Sequence, residues 1–234
     1  MIVESMTYGE ICREYDKIHD IFFPRVQRKL DKYGEACSKI RRFMLKHRTW
    51  ENVLFAPITY QVDNDTTFYS IPLIHNLHTF KKVGPTAVTF ITYLNKHGMN
   101  ALVRGNQYDK EYFFITSHFF NRYIERFLNS KFSKAEAIAE FFANNGSFMM
   151  TSHPTPKHPH SLIGSANDVV FFAEKIADKI SVMKTCITRQ MLYDDQSNFT
   201  EQLDEIVAEF DVERDMLMKL ITHNRIKYHH ISFI

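Results

Sequence analysis

The chain has 234 residues, of which 44% are hydrophobic and 14% aromatic, and its formal net charge is +2. This composition excludes a disordered chain, and seven glycines leave little room for glycine-rich phosphate-binding loops. The first residues lack the basic start and apolar run of a signal peptide, and no stretch approaches about eighteen uncharged apolar residues. We therefore expect a soluble, cytoplasmic protein without a membrane span.

Cysteine usage agrees with that expectation. Cys12, Cys37 and Cys186 are odd in number and far apart, which fits reduced thiols in a cytoplasm better than a disulfide framework. Each is expected to be a small buried hydrophobic residue.

The first fifty residues predict a helical N-terminal extension. Thr7 and Glu10 have the spacing of a capping box and open a helix, which Pro24 is expected to interrupt. Beyond the proline, apolar residues recur every three or four positions at Val26, Leu30, Tyr33, Cys37, Ile40 and Met44. These residues form a narrow apolar stripe, which needs a partner helix, either in a helical hairpin of the same chain or in a homodimer.

The next segment predicts an antiparallel sheet, because short β-branched and aromatic runs alternate with turn residues. The expected strands are 58–62 and 66–74, which form a hairpin around Asp63-Asn64-Asp65, then 87–94, 100–104 and 111–115. A helix follows from residue 118, and the capping box of Ser133 and Glu136 opens another helix that ends near Asn144.

The remainder of the chain predicts a loop, two strands and helices. Residues 151–160 are too rich in proline to be regular, 168–172 and 180–187 are expected to pair, and the chain beyond residue 193 has apolar residues at helical spacing. The predicted class is α+β, an antiparallel sheet packed against helices with a helical hairpin at the N-terminus. The expected divisions are 1–50, an α+β core at 51–192, and C-terminal helices at 193–234 that pack on the rest.

Charge is distributed unevenly despite the small net value. Residues 25–48 hold nine basic side chains against two acidic ones, whereas residues 194–215 hold nine acidic side chains against one arginine. The basic segment is expected to bind either a nucleic acid or the acidic segment of the same chain.

Residues 116–127 carry the most informative pattern. Read as a helix, they place His118, Arg122 and Arg126 on one polar stripe over an aromatic and aliphatic back. A histidine in the first turn tends toward the neutral form that accepts a proton, and two guanidinium groups match phosphate oxygens. Cleavage of RNA through its 2′-hydroxyl needs such a base beside such cations and needs no metal. The same residues also fit ordinary surface ion pairing, with Arg122 against Glu125.

Two further groups of residues are weaker candidates. His153, His158 and His160 lie in the proline-rich loop, where imidazoles can bind zinc or copper, but their spacing matches no established motif; a solvated loop is the simpler interpretation. On the last predicted strand, alternation places Lys184, Cys186 and Thr188 on one face, where the lysine and the threonine would complete a phosphate pocket with the histidine helix. Such residues are also common on half-exposed strands.

Together, the His118, Arg122 and Arg126 helix, the helix and strand pair that follow it, and Lys184-Thr185 resemble the metal-independent endoribonuclease toxins grouped with barnase, EndoU, colicin and RelE. The resemblance covers roughly residues 111–189, whereas the length, the helical ends and the loop at 151–160 depart from the compact toxins. It implies a toxin-like ribonuclease, with catalytic roles for His118, Arg122, Arg126, Lys184 and Thr188, no cofactor, and an antitoxin-like protein partner. The alternative is a noncatalytic protein that binds nucleic acid or assembles with itself.

Overall fold

The computed structural model describes residues 2–35, 42, 53–74, 86–105, 110–128, 132–145, 148–166 and 169–192. Its helices are α1 (Tyr8–Glu35), α2 (Ser117–Phe127) and α3 (Lys134–Asn144), and a short 3-10 helix spans Arg189–Met191. The strands are β1 (Val53–Leu54), β2 (Ile58–Gln61), β3 (Thr66–Ile74), β4 (Thr86–Asn95), β5 (Gly98–Arg104), β6 (Tyr112–Ile115), β7 (Met149–Ser152), β8 (Ser161–Ala166), β9 (Val169–Ala177) and β10 (Ile180–Thr188). The α+β class predicted from the sequence is confirmed.

The chain divides into two compact units. One comprises Met1–Arg28, Pro57–Ile71 and Ala87–Arg189, and the other comprises Lys29–Ala56, Pro72–Thr86 and Gln190–Ile234. In the second unit, β1 pairs antiparallel with the end of β3. The first unit contains α2, α3 and most of the sheet.

The sheet of the first unit has the strand order β3-β4-β5-β6-β10-β9-β8-β7, with β2 paired to β3. β10 runs parallel to β6, with Ile180 opposite Tyr112 and Met183 opposite Ile115. The pairs β4–β5, β5–β6, β9–β10, β8–β9 and β7–β8 are antiparallel. The antiparallel sheet predicted from the sequence is therefore a mixed sheet, because β10 returns to the centre beside β6.

Helix α1 confirms one prediction about the N-terminus and corrects another. The Thr7 and Glu10 capping box is present in both directions. The helix does not break at Pro24 but continues to Glu35, so the predicted interruption is wrong. Packing accounts for this, since Ile18 before the proline and Val26 after it are both buried. Apart from residue 42, the rest of the predicted hairpin lies outside the described residues.

Aromatic contacts show how helices cover the two faces of the sheet. Phe22 of α1 stacks on Phe68 of β3, with ring centroids 5.7 Å apart. Phe142 of α3 stacks on Phe90 of β4, with centroids 4.1 Å apart. All four residues of β6 are buried, as expected for a strand whose two faces are both covered.

The proline-rich segment is the turn of a β-hairpin, which corrects the expected irregular loop. β7 and β8 were not predicted from the sequence, yet they pair, and Thr155 and His158 exchange two backbone hydrogen bonds of 3.0 Å at the turn. Gly164 makes β8 hard to recognise in the sequence, because glycine is a poor strand former. In the structure, an added Cβ at this position would lie 2.3 Å from the ring of Phe171 and 2.4 Å from the carbonyl oxygen of Met149. Only glycine fits this position without displacing its neighbours.

The structure tests the prediction about the cysteines, whereas the prediction about the C-terminal helices falls on residues that it does not describe. Cys12 and Cys186 are free thiols and are buried, as predicted; Cys37 lies outside the described residues. The predicted C-terminal helices beyond residue 193, and with them the acidic segment at 194–215, also lie outside the described residues.

Candidate functional site

Helix α2 begins directly after β6, and side chains from three elements hold its first turn. Thr116 is the N-cap, and its hydroxyl accepts the backbone N–H of Phe119 at 3.2 Å. The N–H of Ser117 donates to the side-chain oxygen of Asn100 at 2.9 Å, and the ammonium group of Lys134 donates to the Ser117 hydroxyl at 2.7 Å. Burial lowers the pKa of Lys134. These bonds set the position of α2 against β5 and α3.

The apolar back of α2 packs as its sequence predicts. Phe119, Phe120 and Tyr123 are buried, and each ring meets Phe141 of α3 edge-on. The thiol of Cys186 on β10 lies 3.7 Å from the carbonyl oxygen of Phe119. The polar stripe of the helix therefore faces away from this core.

His118 is exposed on the second residue of α2. The structure gives its imidazole no hydrogen bond to another described residue. An exposed imidazole can exchange protons with solvent or with a bound ligand. The position is compatible with the acid–base role predicted from the sequence.

The two arginines of the stripe already have partners in the chain. Nη1 of Arg122 lies 2.6 Å from Oε2 of Glu125, in the ion pair that the simpler interpretation of the sequence predicts, and it lowers the pKa of that carboxyl. Arg126 donates a hydrogen bond from Nη1 to the backbone carbonyl of Cys186. The structure therefore places His118, Arg122 and Arg126 on one helix but commits one donor of each guanidinium group elsewhere.

Lys184 does not join this stripe. A β-bulge between Met183 and Thr185 breaks the alternation of β10, and the Lys184 ammonium pairs with Glu174 on β9. Its carbonyl, not its ammonium, contacts α2, by accepting a hydrogen bond from Thr116. Cys186 is instead completely buried against α2, so the predicted common face for Lys184 and Cys186 is wrong.

Thr188 lies at the end of β10, where it is half-buried opposite Val169. In the described part of the chain, no hydrogen bond joins its hydroxyl to the α2 stripe. The histidines of the hairpin differ among themselves: burial lowers the pKa of the half-buried His153, whereas His158 and His160 are exposed. Among the described residues, no group of three or more His, Cys, Asp or Glu side chains is placed to hold a metal ion.

A cleft that the sequence did not predict lies at the start of α1. It has a volume of about 470 Å³ and is lined by residues from α1, from the segment at β6, and from the turn between β9 and β10: Gly9, Cys12, Arg13, Asp16, Lys110, Tyr112, Asp178, Lys179 and Ile180. These positions are scattered over the chain in no recognisable motif, so no local signal could have identified them.

Asp16 is the most highly connected residue of the cleft. Its carboxylate accepts hydrogen bonds from Arg104 at 3.2 Å, from the hydroxyl of Tyr112 at 2.8 Å and from Lys110 at 3.3 Å. Burial and the bond to Asp16 raise the pKa of Tyr112, and burial raises the pKa of the Cys12 thiol to about 12. Neither group is therefore a nucleophile in its resting state.

Comparison with protein-family models, curated proteins and solved structures finds no match to this chain. Within the described residues, none of the helices combines the length and apolar character needed to cross a membrane.

Proposed function

We propose that the protein binds RNA along the polar stripe of α2 and cleaves it without a metal, with His118 as the proton-transferring group. The observation that carries this proposal is the exposed His118 imidazole, which shares one helix face with Arg122 and Arg126. In the cleavage step, the imidazole takes the proton of a 2′-hydroxyl, and that oxygen attacks phosphorus to form a 2′,3′-cyclic phosphate. The bond from phosphorus to the 5′-oxygen breaks, and this oxygen takes a proton from water to become a 5′-hydroxyl. The guanidinium groups stabilise the charge on the phosphoryl oxygens.

The partners of the two arginines are compatible with phosphate binding. The side chains of Arg122 and Glu125 are 39% and 60% exposed, and exposed ion pairs contribute only about 0.2–1 kcal/mol. A phosphate can therefore replace Glu125 at little cost. Arg126 uses one donor on the Cys186 carbonyl, whereas a guanidinium group has five N–H donors in total.

The catalytic part of the proposal is tested with full-length protein and a labelled RNA in the presence of a chelator. His118→Gln should slow cleavage by at least about 100-fold, because a general base typically contributes 10²–10⁴ in rate. Its thermal midpoint should stay close to that of the unchanged protein, because the side chain is exposed. His158→Gln, at an exposed histidine of the β7–β8 hairpin, is the matched control and should cleave normally. Full activity in His118→Gln would refute the catalytic role.

The binding part is tested with two substitutions in one ion pair. Arg122→Gln should weaken RNA binding, whereas Glu125→Gln should strengthen it, because removal of the carboxylate frees the guanidinium group and removes a repulsive charge. Each affinity is measured over a range of salt concentrations, and the salt dependence should be shallower for Arg122→Gln. Equal affinities for the two variants would exclude the stripe as the RNA surface. RNA binding with the expected order but no cleavage would support the noncatalytic alternative.

A further inference from the structure

The cleft at the start of α1 lies where the parallel strands β6 and β10 both begin, whereas α2 follows the other end of β6. Its walls combine the apolar groups of Cys12, Tyr112 and Ile180 with charged side chains. A volume of about 470 Å³ is within the usual range for small-ligand sites. None of its residues belongs to the α2 stripe, so this site is independent of the proposed RNA surface.

The charges at the cleft leave cations in excess. Asp16 is neutralised by Arg104 and Lys110, and Asp178 lies 3.6 Å from the ammonium of Lys175. Arg13 and Lys179 both line the cleft, and neither forms an ion pair with another described residue. The side chain of Lys110 is 61% exposed beside them. The cleft thus attracts an anion although it contains two carboxylates.

Two residues with an uncommon backbone conformation line the same cleft. Lys110 and Lys179 are the non-glycine residues with positive φ among the residues that the structure describes, at 47° and 62°, and both line the cleft. The left-handed region is unfavourable for lysine, so the surrounding structure must hold it there. One such restraint is visible, because the carbonyl of Lys179 accepts the backbone N–H of Tyr112 at 2.8 Å. This bond ties the turn between β9 and β10 to the start of β6, beside the cleft.

We propose that this cleft binds a small phosphomonoester. A phosphate dianion matches the planar donors of Arg13 together with the point charge of Lys179 better than a singly charged carboxylate does. The apolar surface of Cys12, Tyr112 and Ile180 then accommodates the organic part of the ligand. The site is a binding site only, and no chemical step is assigned to it.

The test is a calorimetric titration of the full chain with adenosine monophosphate, inorganic phosphate and adenosine. Adenosine monophosphate should bind, inorganic phosphate should bind more weakly, and adenosine should not bind measurably. Arg13→Gln and Lys179→Asn should each lower the affinity at least about fivefold, which is the loss of one charge-assisted contact. Asparagine tolerates the left-handed conformation, so Lys179→Asn should fold normally.

The matched control is Lys157→Asn, which removes an exposed lysine from the β7–β8 turn and should bind like the unchanged protein. The proposal is overturned if adenosine monophosphate does not bind at millimolar concentration. It is equally overturned if Arg13→Gln and Lys179→Asn, shown to be folded by circular dichroism, retain the full affinity. Both results are independent of RNA cleavage by His118.

Discussion

At the residue scale, the charged side chains of α2 and β10 have partners that differ in their distance along the chain. The partner of Arg122 is Glu125, one helical turn away, and this pair follows from sequence spacing alone. Arg126 instead bonds to the carbonyl of Cys186, and Lys184 pairs with Glu174 across two strands. Whether a cation remains available to a ligand therefore depends on contacts that the local pattern does not contain.

His19 shows how a buried titratable residue affects stability. It is 9% exposed, its ring stacks on Phe23 at 4.7 Å, and its Nδ1 lies 3.7 Å from Oδ1 of Asp20, too far for a hydrogen bond. Burial, and after it the positive charge of Arg104, lowers the pKa of His19 below the value of 6.5 for an unperturbed histidine. The unfolded chain therefore takes up a proton at a higher pH than the folded chain does. As the pH falls below about 6.5, this difference destabilises the folded state until the folded pKa is passed.

We predict that His19→Phe reduces the loss of stability on acidification from pH 7.5 to pH 5.5. Phenylalanine keeps the aromatic contact with Phe23 and removes the proton uptake of the unfolded chain. The measurement is the thermal midpoint of each protein across this range. His97→Gln, at an exposed histidine, should retain the pH dependence of the unchanged protein. An identical pH dependence in His19→Phe would show that other groups cause the loss.

At the element scale, the continuity of α1 through Pro24 reflects tertiary packing overcoming a local preference. A proline inside a helix lacks the N–H that would bond to the carbonyl of residue 20, and its ring crowds that carbonyl, at a cost of about 3 kcal/mol. Residues on both sides of the proline are buried, so breaking the helix would expose them. Helix α1 therefore retains an internal defect on its exposed face, where Pro24 lies.

Pro24→Ala should raise the free energy of unfolding by about 1–3 kcal/mol, because alanine restores the hydrogen bond and removes the clash. Chemical denaturation monitored by circular dichroism gives this value. Arg25→Lys, which keeps a cation near the ring of Phe22 at the neighbouring exposed position, should change stability by no more than about 0.5 kcal/mol. A lower stability of Pro24→Ala would mean that the proline shapes α1 in a way the packed helix needs.

At the scale of the whole molecule, the parallel pairing of β6 with β10 joins strands that are distant in sequence. β2 to β6 precede α2, and β7 to β10 follow α3, so the pairing of β6 with β10 closes a long segment of chain that contains both helices. In the described strand order, β6 and β10 lie in the interior, whereas β7 lies at an edge. The central strands should therefore be the last to open.

Amide hydrogen exchange tests this order. Peptides that cover 112–115 and 180–183 should exchange at least about tenfold more slowly than a peptide covering 149–152, since interior strands open only with larger unfolding events. Mass spectrometry of the full chain at neutral pH gives these rates. Equal rates for β6 and β7 would contradict a stable centre formed by the parallel pair.

The sequence by itself determined the elements whose signals are local. The capping boxes at Thr7 and Ser133 and the two-faced pattern of α2 all depend on residues within one or two turns. Only the tertiary structure decided the parallel pairing of β6 and β10, the bulge at Lys184 and the cleft at α1. The parallel pairing and the cleft depend on residues far apart in the chain, and the bulge depends on the register between two paired strands. Packing and strand pairing, rather than residue spacing, therefore determine all three.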